Sequence, residues 1–71
     1  MSKDKYTIQI FWSDEDEAFV AVCQEFSGLS ALGETREEAL RQMQAALNLM
    51  IETYKDKGIA LPEPQTVPLA A

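Results

Sequence analysis

The chain has 71 residues, 46% of them hydrophobic and 25% charged, with a formal net charge of −6. That length allows one domain, residues 1–71, and a chain this short buries only about 60% of the surface it exposes when unfolded, so a partner or self-association is expected from the outset. The six basic residues are scattered from Lys3 to Lys57 and form no cluster of the kind phosphate contacts need; direct DNA binding is not expected, and a basic protein partner suits the chain better.

Residues 1–5 are polar and charged, and the longest unbroken apolar run covers residues 18–23. That is far short of the roughly 20 residues a membrane helix needs, so the expectation is no membrane and a cytoplasmic location. Tyr6, Ile8 and Ile10 alternate with Thr7 and Gln9, and Phe11 and Trp12 extend the run, which predicts a strand over residues 6–12. Ser13, Asp14, Glu15, Asp16 and Glu17 hold no apolar residue and predict a solvated turn. Residues 18–23 then resume as a second strand, and the short connection makes the two an antiparallel hairpin. Cys23 is the only cysteine; it forms no intramolecular disulfide and is expected as a small buried hydrophobe. Residues 24–28 form the next turn and residues 29–32 a brief third strand, with Gly33 allowing a change of direction.

Thr35 is a good helix N-cap, with Glu38 three residues on to complete a capping box and with Glu37 and Glu38 both at the positive end of the helix dipole. Ala39, Leu40, Met43, Ala46, Leu47, Met50, Ile51 and Tyr54 recur at spacings of three and four, while Arg41, Gln44, Asn48, Glu52 and Lys55 fall opposite them. This predicts an amphipathic helix over residues 36–57, closed by Gly58. Pro62 and Pro64 bar its continuation. Residues 66–69 are expected as a fourth, edge-type strand, where Pro68 is tolerated. The fold class is therefore α+β: a three-stranded antiparallel sheet, one long helix and a possible edge strand, in the order β-β-β-α-β.

Ala18, Val20 and Val22 lie on one face of the second strand and Phe19, Ala21 and Cys23 on the other, yet one helix covers one face. The uncovered apolar face predicts a homo-oligomer or docking onto another protein. For catalysis the sequence offers little. It has no histidine, the commonest general base and metal ligand. The first strand carries no acid, and the four consecutive acids of the turn lack the glycine and spacing of a calcium loop. Gly28 and Gly33 fit turns better than a phosphate-binding loop. No catalytic, metal or cofactor site is expected. Met43 and Met50 belong to the helix core face, whereas Trp12 suits an interface as well as a core.

The strand ending in aromatics, the acidic hairpin before Ala18-Phe19-Val20-Ala21-Val22, the stretch from Gly28 to Leu40, and the long helix ending near Gly58 before Leu61-Pro62-Glu63-Pro64 together resemble the HicB-like antitoxin family. The resemblance runs from about Tyr6 to Pro64 and is specific in its order of elements. It implies a truncated RNase H-like unit and a function of neutralising, by direct binding, a small HicA-type toxin that cleaves messenger RNA. That toxin class resembles RNases with an essential histidine, so this chain is not expected to be the toxin. Full-length members of the family usually carry a C-terminal DNA-binding domain of helix-turn-helix or ribbon-helix-helix type. This sequence runs to Ala71 without one, and the expectation is a short, single-domain member without autorepression. The short solitary members it also resembles need have no toxin, which leaves an orphan structural or regulatory module as the alternative and a degenerate nuclease as the third. Trp12, Asp14, Glu15, Asp16 and Glu17 are the candidate partner-binding residues, the acids attracting a basic RNase and apolar contacts then masking its active site.

Overall fold

The computed structural model describes residues 5–64. The elements are β1 (Ile8–Ser13), β2 (Ala18–Cys23), β3 (Ser30–Gly33) and α1 (Arg36–Lys57). The sheet is antiparallel throughout in the order β1-β2-β3. The α+β class and the element order follow the sequence pattern, with β2 and α1 at the expected bounds. β1 starts two residues later than the alternation suggests and ends one later, taking in Ser13, which the sequence pattern places in the turn; β3 is shifted by one, ending on Gly33. The expected strand over residues 66–69 lies outside the described residues.

Register assigns every strand residue to a face. Ile8 pairs with Cys23, Ile10 with Ala21 and Trp12 with Phe19, and Ala21 and Phe19 pair on with Ala31 and Gly33; these side chains point towards α1. Gln9, Phe11 and Ser13 pair with Val22, Val20 and Ala18, and Val20 and Val22 pair on with Leu32 and Ser30, so these share the opposite face. The core is Tyr6, Ala21, Cys23, Phe26, Ala39, Met43 and Leu47. Met43 and Leu47 are its largest fully buried side chains, each contributing about 1.5–3 kcal/mol by removal from water.

The helix is longer than the sheet. Its 22 residues span about 33 Å, whereas a six-residue strand spans about 20 Å. The overhang is filled by residues outside the strands. Phe26, in the β2–β3 connection, stands edge-on to Tyr6 at 5.1 Å and to Tyr54 of α1 at 5.3 Å between ring centroids, and Tyr6 Oη donates to the Pro62 carbonyl at 2.8 Å. Glu25 fixes the approach to β1: its carboxylate accepts from Thr7 N at 3.1 and 3.2 Å and from Thr7 Oγ1 at 3.2 Å. Phe26 thus belongs to the core although its neighbours in sequence read as a plain turn, and Tyr6 is core without being part of a strand.

Both ends of α1 are capped. Thr35 Oγ1 accepts from Glu38 N at 3.0 Å, the first half of the capping box. The return arm differs from the expected one: Glu38 Oε1 accepts from Glu34 N at 2.8 Å, one residue further back. Gly58 closes the helix with φ 68°, the left-handed conformation that glycine takes at least cost. Gly33 is needed for space rather than for a turn. A Cβ there would meet the Ala39 backbone nitrogen and lie 2.8 Å from Ala39 Cα, so its absence lets the first turn of α1 sit directly on β3. Leu40, placed on the apolar helix face by its spacing, is 36% exposed, because it lies about 100° round the helix from Ala39, which starts the buried stripe Ala39, Met43 and Leu47.

Candidate protein-binding surfaces

Two surfaces carry the exposed apolar residues of the sheet. The first is the β1–β2 turn. Asp14, Glu15, Asp16 and Glu17 are all exposed, and two of them build the turn: Ser13 Oγ donates to Asp16 Oδ2 at 3.0 Å while accepting from Asp16 N at 3.3 Å. Glu17 holds φ 51°, a left-handed position uncommon for a residue other than glycine. It closes the four-residue loop between Ser13 and Ala18, which are paired across the hairpin.

Trp12, beside this turn, is half-exposed. Its indole Nε1 donates to Asp14 Oδ1 at 2.8 Å, and its ring stands edge-on to Phe19 at 5.1 Å. The Arg36 guanidinium carbon lies 4.9 Å from the centroid of the same Phe19 ring, within cation–π range. Trp12 is thereby held in one orientation with a free flank, next to four carboxylates. The structure brings all five of the sequence-selected residues to one end of the hairpin, with Glu15 and Glu17 left to point at solvent while Asp14 and Asp16 are engaged locally.

The second surface is the sheet face turned away from α1. Phe11, Val20 and Leu32 lie directly opposite one another across β1, β2 and β3. Phe11 and Leu32 are 49% and 52% exposed, while Val20 between them is buried at 8%. No element among the described residues covers this row. The rest of the face is Gln9, Ser13, Ala18, Val22 and Ser30, without a charge. Phe11 and Leu32 are not marked in the sequence: the consecutive aromatics Phe11 and Trp12 hide which one faces out, and Leu32 looks like the end of a buried strand.

Among the described residues no three His, Cys, Asp or Glu side chains are grouped so as to hold a metal ion, no pocket is found, and no helix is long and apolar enough to cross a membrane. Cys23 is buried, and burial first, with a contribution from the Glu25 carboxylate, holds its thiol above the ordinary value despite lowering hydrogen bonds from the Phe26 and Glu25 backbone. The Tyr6 hydroxyl is raised likewise by burial, then by Glu25 and Cys23. Both groups belong to the core cluster.

The fold and these surfaces define an α+β unit with one helix-covered and one open sheet face. No family model, curated protein or solved structure matches the chain.

Proposed function

We propose that this chain is a protein-binding module of the HicB-like antitoxin kind, which neutralises a small basic, messenger-RNA-cleaving toxin of the HicA type by covering its active site. The observation that carries this reading is the half-exposed Trp12, pinned by Asp14 at the edge of four exposed acids. Long-range attraction by the acids sets the association rate, and a rigid aromatic anchor supplies the contact energy. The net charge of −6 suits a basic partner, and the resemblance in order of elements names the toxin class.

The test is inhibition of a histidine-containing RNase-like protein encoded beside this chain's gene. Glu15→Lys with Glu17→Lys reverses charge without touching the Ser13–Asp16 and Trp12–Asp14 hydrogen bonds. It is expected to slow association and flatten the salt dependence. Trp12→Ala is expected to weaken the complex by about 2 kcal/mol or more, the loss typical of an aromatic hot spot. Inhibition untouched by either change would remove this surface from the mechanism. The alternative, an orphan module with no toxin, is favoured by the open sheet face, whose lack of charge answers to no basic partner; absence of any such neighbouring protein would select it.

A further inference from the structure

We propose that the exposed half of the Trp12 ring is a seat for an arginine side chain of a basic protein partner. This deepens the proposed function: it rests on the reading of this end of the hairpin as the partner-binding surface and states which chemical group that surface receives. Topology gathers the charge there. β1 and β3 are both antiparallel to β2, so the β1–β2 turn and the β3–α1 junction lie at the same end of the sheet. The four acids of residues 14–17 thereby share one end with Glu34, Glu37 and Glu38. Arg36 is the one base in these two segments, so this end carries the whole formal charge of −6, while the five acids and five bases in the rest of the sequence cancel. The positive end of the helix dipole, worth about half a charge, offsets little of it.

The aromatic residues at this end already hold one cation. The Arg36 guanidinium carbon lies 4.9 Å from the Phe19 ring centroid, and the edge-on neighbour of that ring is Trp12, 5.1 Å away. An edge-on contact covers at most one face of the indole, and Trp12 is 50% exposed. Indole is the best aromatic acceptor for a cation. Its Nε1–H donates to Asp14 Oδ1 at 2.8 Å, which fixes the ring and keeps a carboxylate at its rim. A second guanidinium on Trp12 repeats, one ring along, the contact that Arg36 makes on Phe19.

The surroundings of Trp12 choose between an apolar occupant and a charged one. An apolar side chain laid on the ring takes water from the neighbouring carboxylates and gives them no partner, which costs free energy. A cation gains from the ring and from the acids together, and the field of the whole acidic end draws it in. Arginine suits the place better than lysine. Its planar guanidinium stacks on an aromatic face and is more weakly hydrated, whereas the lysine ammonium brings charge without the stack.

Titration of the full chain with a hexa-arginine peptide at low salt, followed by NMR and compared with hexalysine, tests the proposal. The chain has one tryptophan, so its indole N–H resonance reports on the seat alone. The expected result is a saturable shift of that resonance, with hexa-arginine bound more tightly than hexalysine. Trp12→Leu is expected to weaken hexa-arginine binding about two- to fivefold, the size of an exposed cation–π contact, and to erase the preference over hexalysine. Trp12→Phe keeps a ring and should fall between the two; it carries the test if Trp12→Leu alters the circular dichroism spectrum. Shifts confined to the acids, with the indole unmoved, overturn the proposal by reducing the binding to charge attraction. So does a Trp12→Leu chain that binds both peptides as the native chain does. The antitoxin reading fails separately: a neighbouring RNase that stays active while hexa-arginine still binds at Trp12 overturns that reading alone. A toxin inhibited through Trp12, with the indole unmoved by either peptide, overturns the arginine seat alone.

Discussion

The same three strands make both faces of the sheet, yet β2 and β3 differ in size between the faces at their centre. Under α1 they present the small Ala21, Cys23, Ala31 and Gly33, with larger residues confined to Phe19 and to β1; away from it, the central row is Phe11, Val20 and Leu32. Ala21 is fully buried, while Phe11 and Leu32 are about half-exposed. Small residues allow the helix backbone to approach the sheet, most closely where Gly33 meets Ala39, and the helix brings its own Met43 and Leu47 to fill the space. Among the described residues the open face has no such partner, and it supplies its bulk from the strands. Hydrophobicity alone would rank Phe11 and Leu32 above Ala21 and Ala31 for burial. The separation between packed layers decides otherwise.

The largest effect expected from this asymmetry is in stability. Leu47→Ala, at 1% exposure, should cost about 2–5 kcal/mol through lost transfer energy and a cavity beneath the helix. Leu32→Ser, on the open face, should change the unfolding free energy of the monomer by no more than about 0.5 kcal/mol. Urea titrations at low protein concentration compare the two directly; similar losses would mean that the faces do not differ in the way described.

A smaller effect concerns how the helix is seated on its face. Thr35→Ala removes the hydroxyl that accepts from Glu38 N and should cost about 1 kcal/mol. Thr35→Asn should recover most of it, because another good N-cap side chain then supplies the acceptor. Failure of Asn to restore stability in thermal melts would show that Thr35 acts by packing instead.

The smallest effect is a pH dependence confined to the covered side. Cys23 and Tyr6 both hold their protons more tightly when folded, so the unfolded chain ionises first as pH rises. Their stabilising contribution is complete below the ordinary thiol range, near pH 8.5, and is lost as pH climbs through the raised folded values. Melts at increasing pH should fall through the alkaline range, and Cys23→Ala should delay the onset. The open face, which carries no ionisable group, should contribute nothing to this decline.

The regular parts of the fold were legible in the sequence because each is bounded by a chemical signal. Residues 14–17 separate two apolar runs, Thr35 and Glu38 begin the helix, and Gly58 ends it. Phe26 was not legible, since a single aromatic between Glu25 and Ser27 has no period; its burial depends on a helix that outruns the sheet. A large aromatic inside an otherwise polar turn is the one signal that could have pointed there. The function of Glu25 is hidden for the same reason, because its partner Thr7 lies 18 residues away. The candidate site was half legible. The acids and Trp12 stand out by composition, but the hydrogen bond from Trp12 to Asp14 depends on how the turn closes, and which of Phe11 and Trp12 faces outwards depends on register.

The hydrogen bond from Tyr6 to Pro62 joins residues 56 positions apart, so it closes nearly the whole described chain into a ring. The ring of Tyr6 also rests on Phe26, so the clasp ties both termini of the described chain to the β2–β3 connection, and it is expected to open as a unit. Amide exchange in residues 5–7 and 59–62 should accordingly rise together, as one cooperative unit, before exchange in β2 begins.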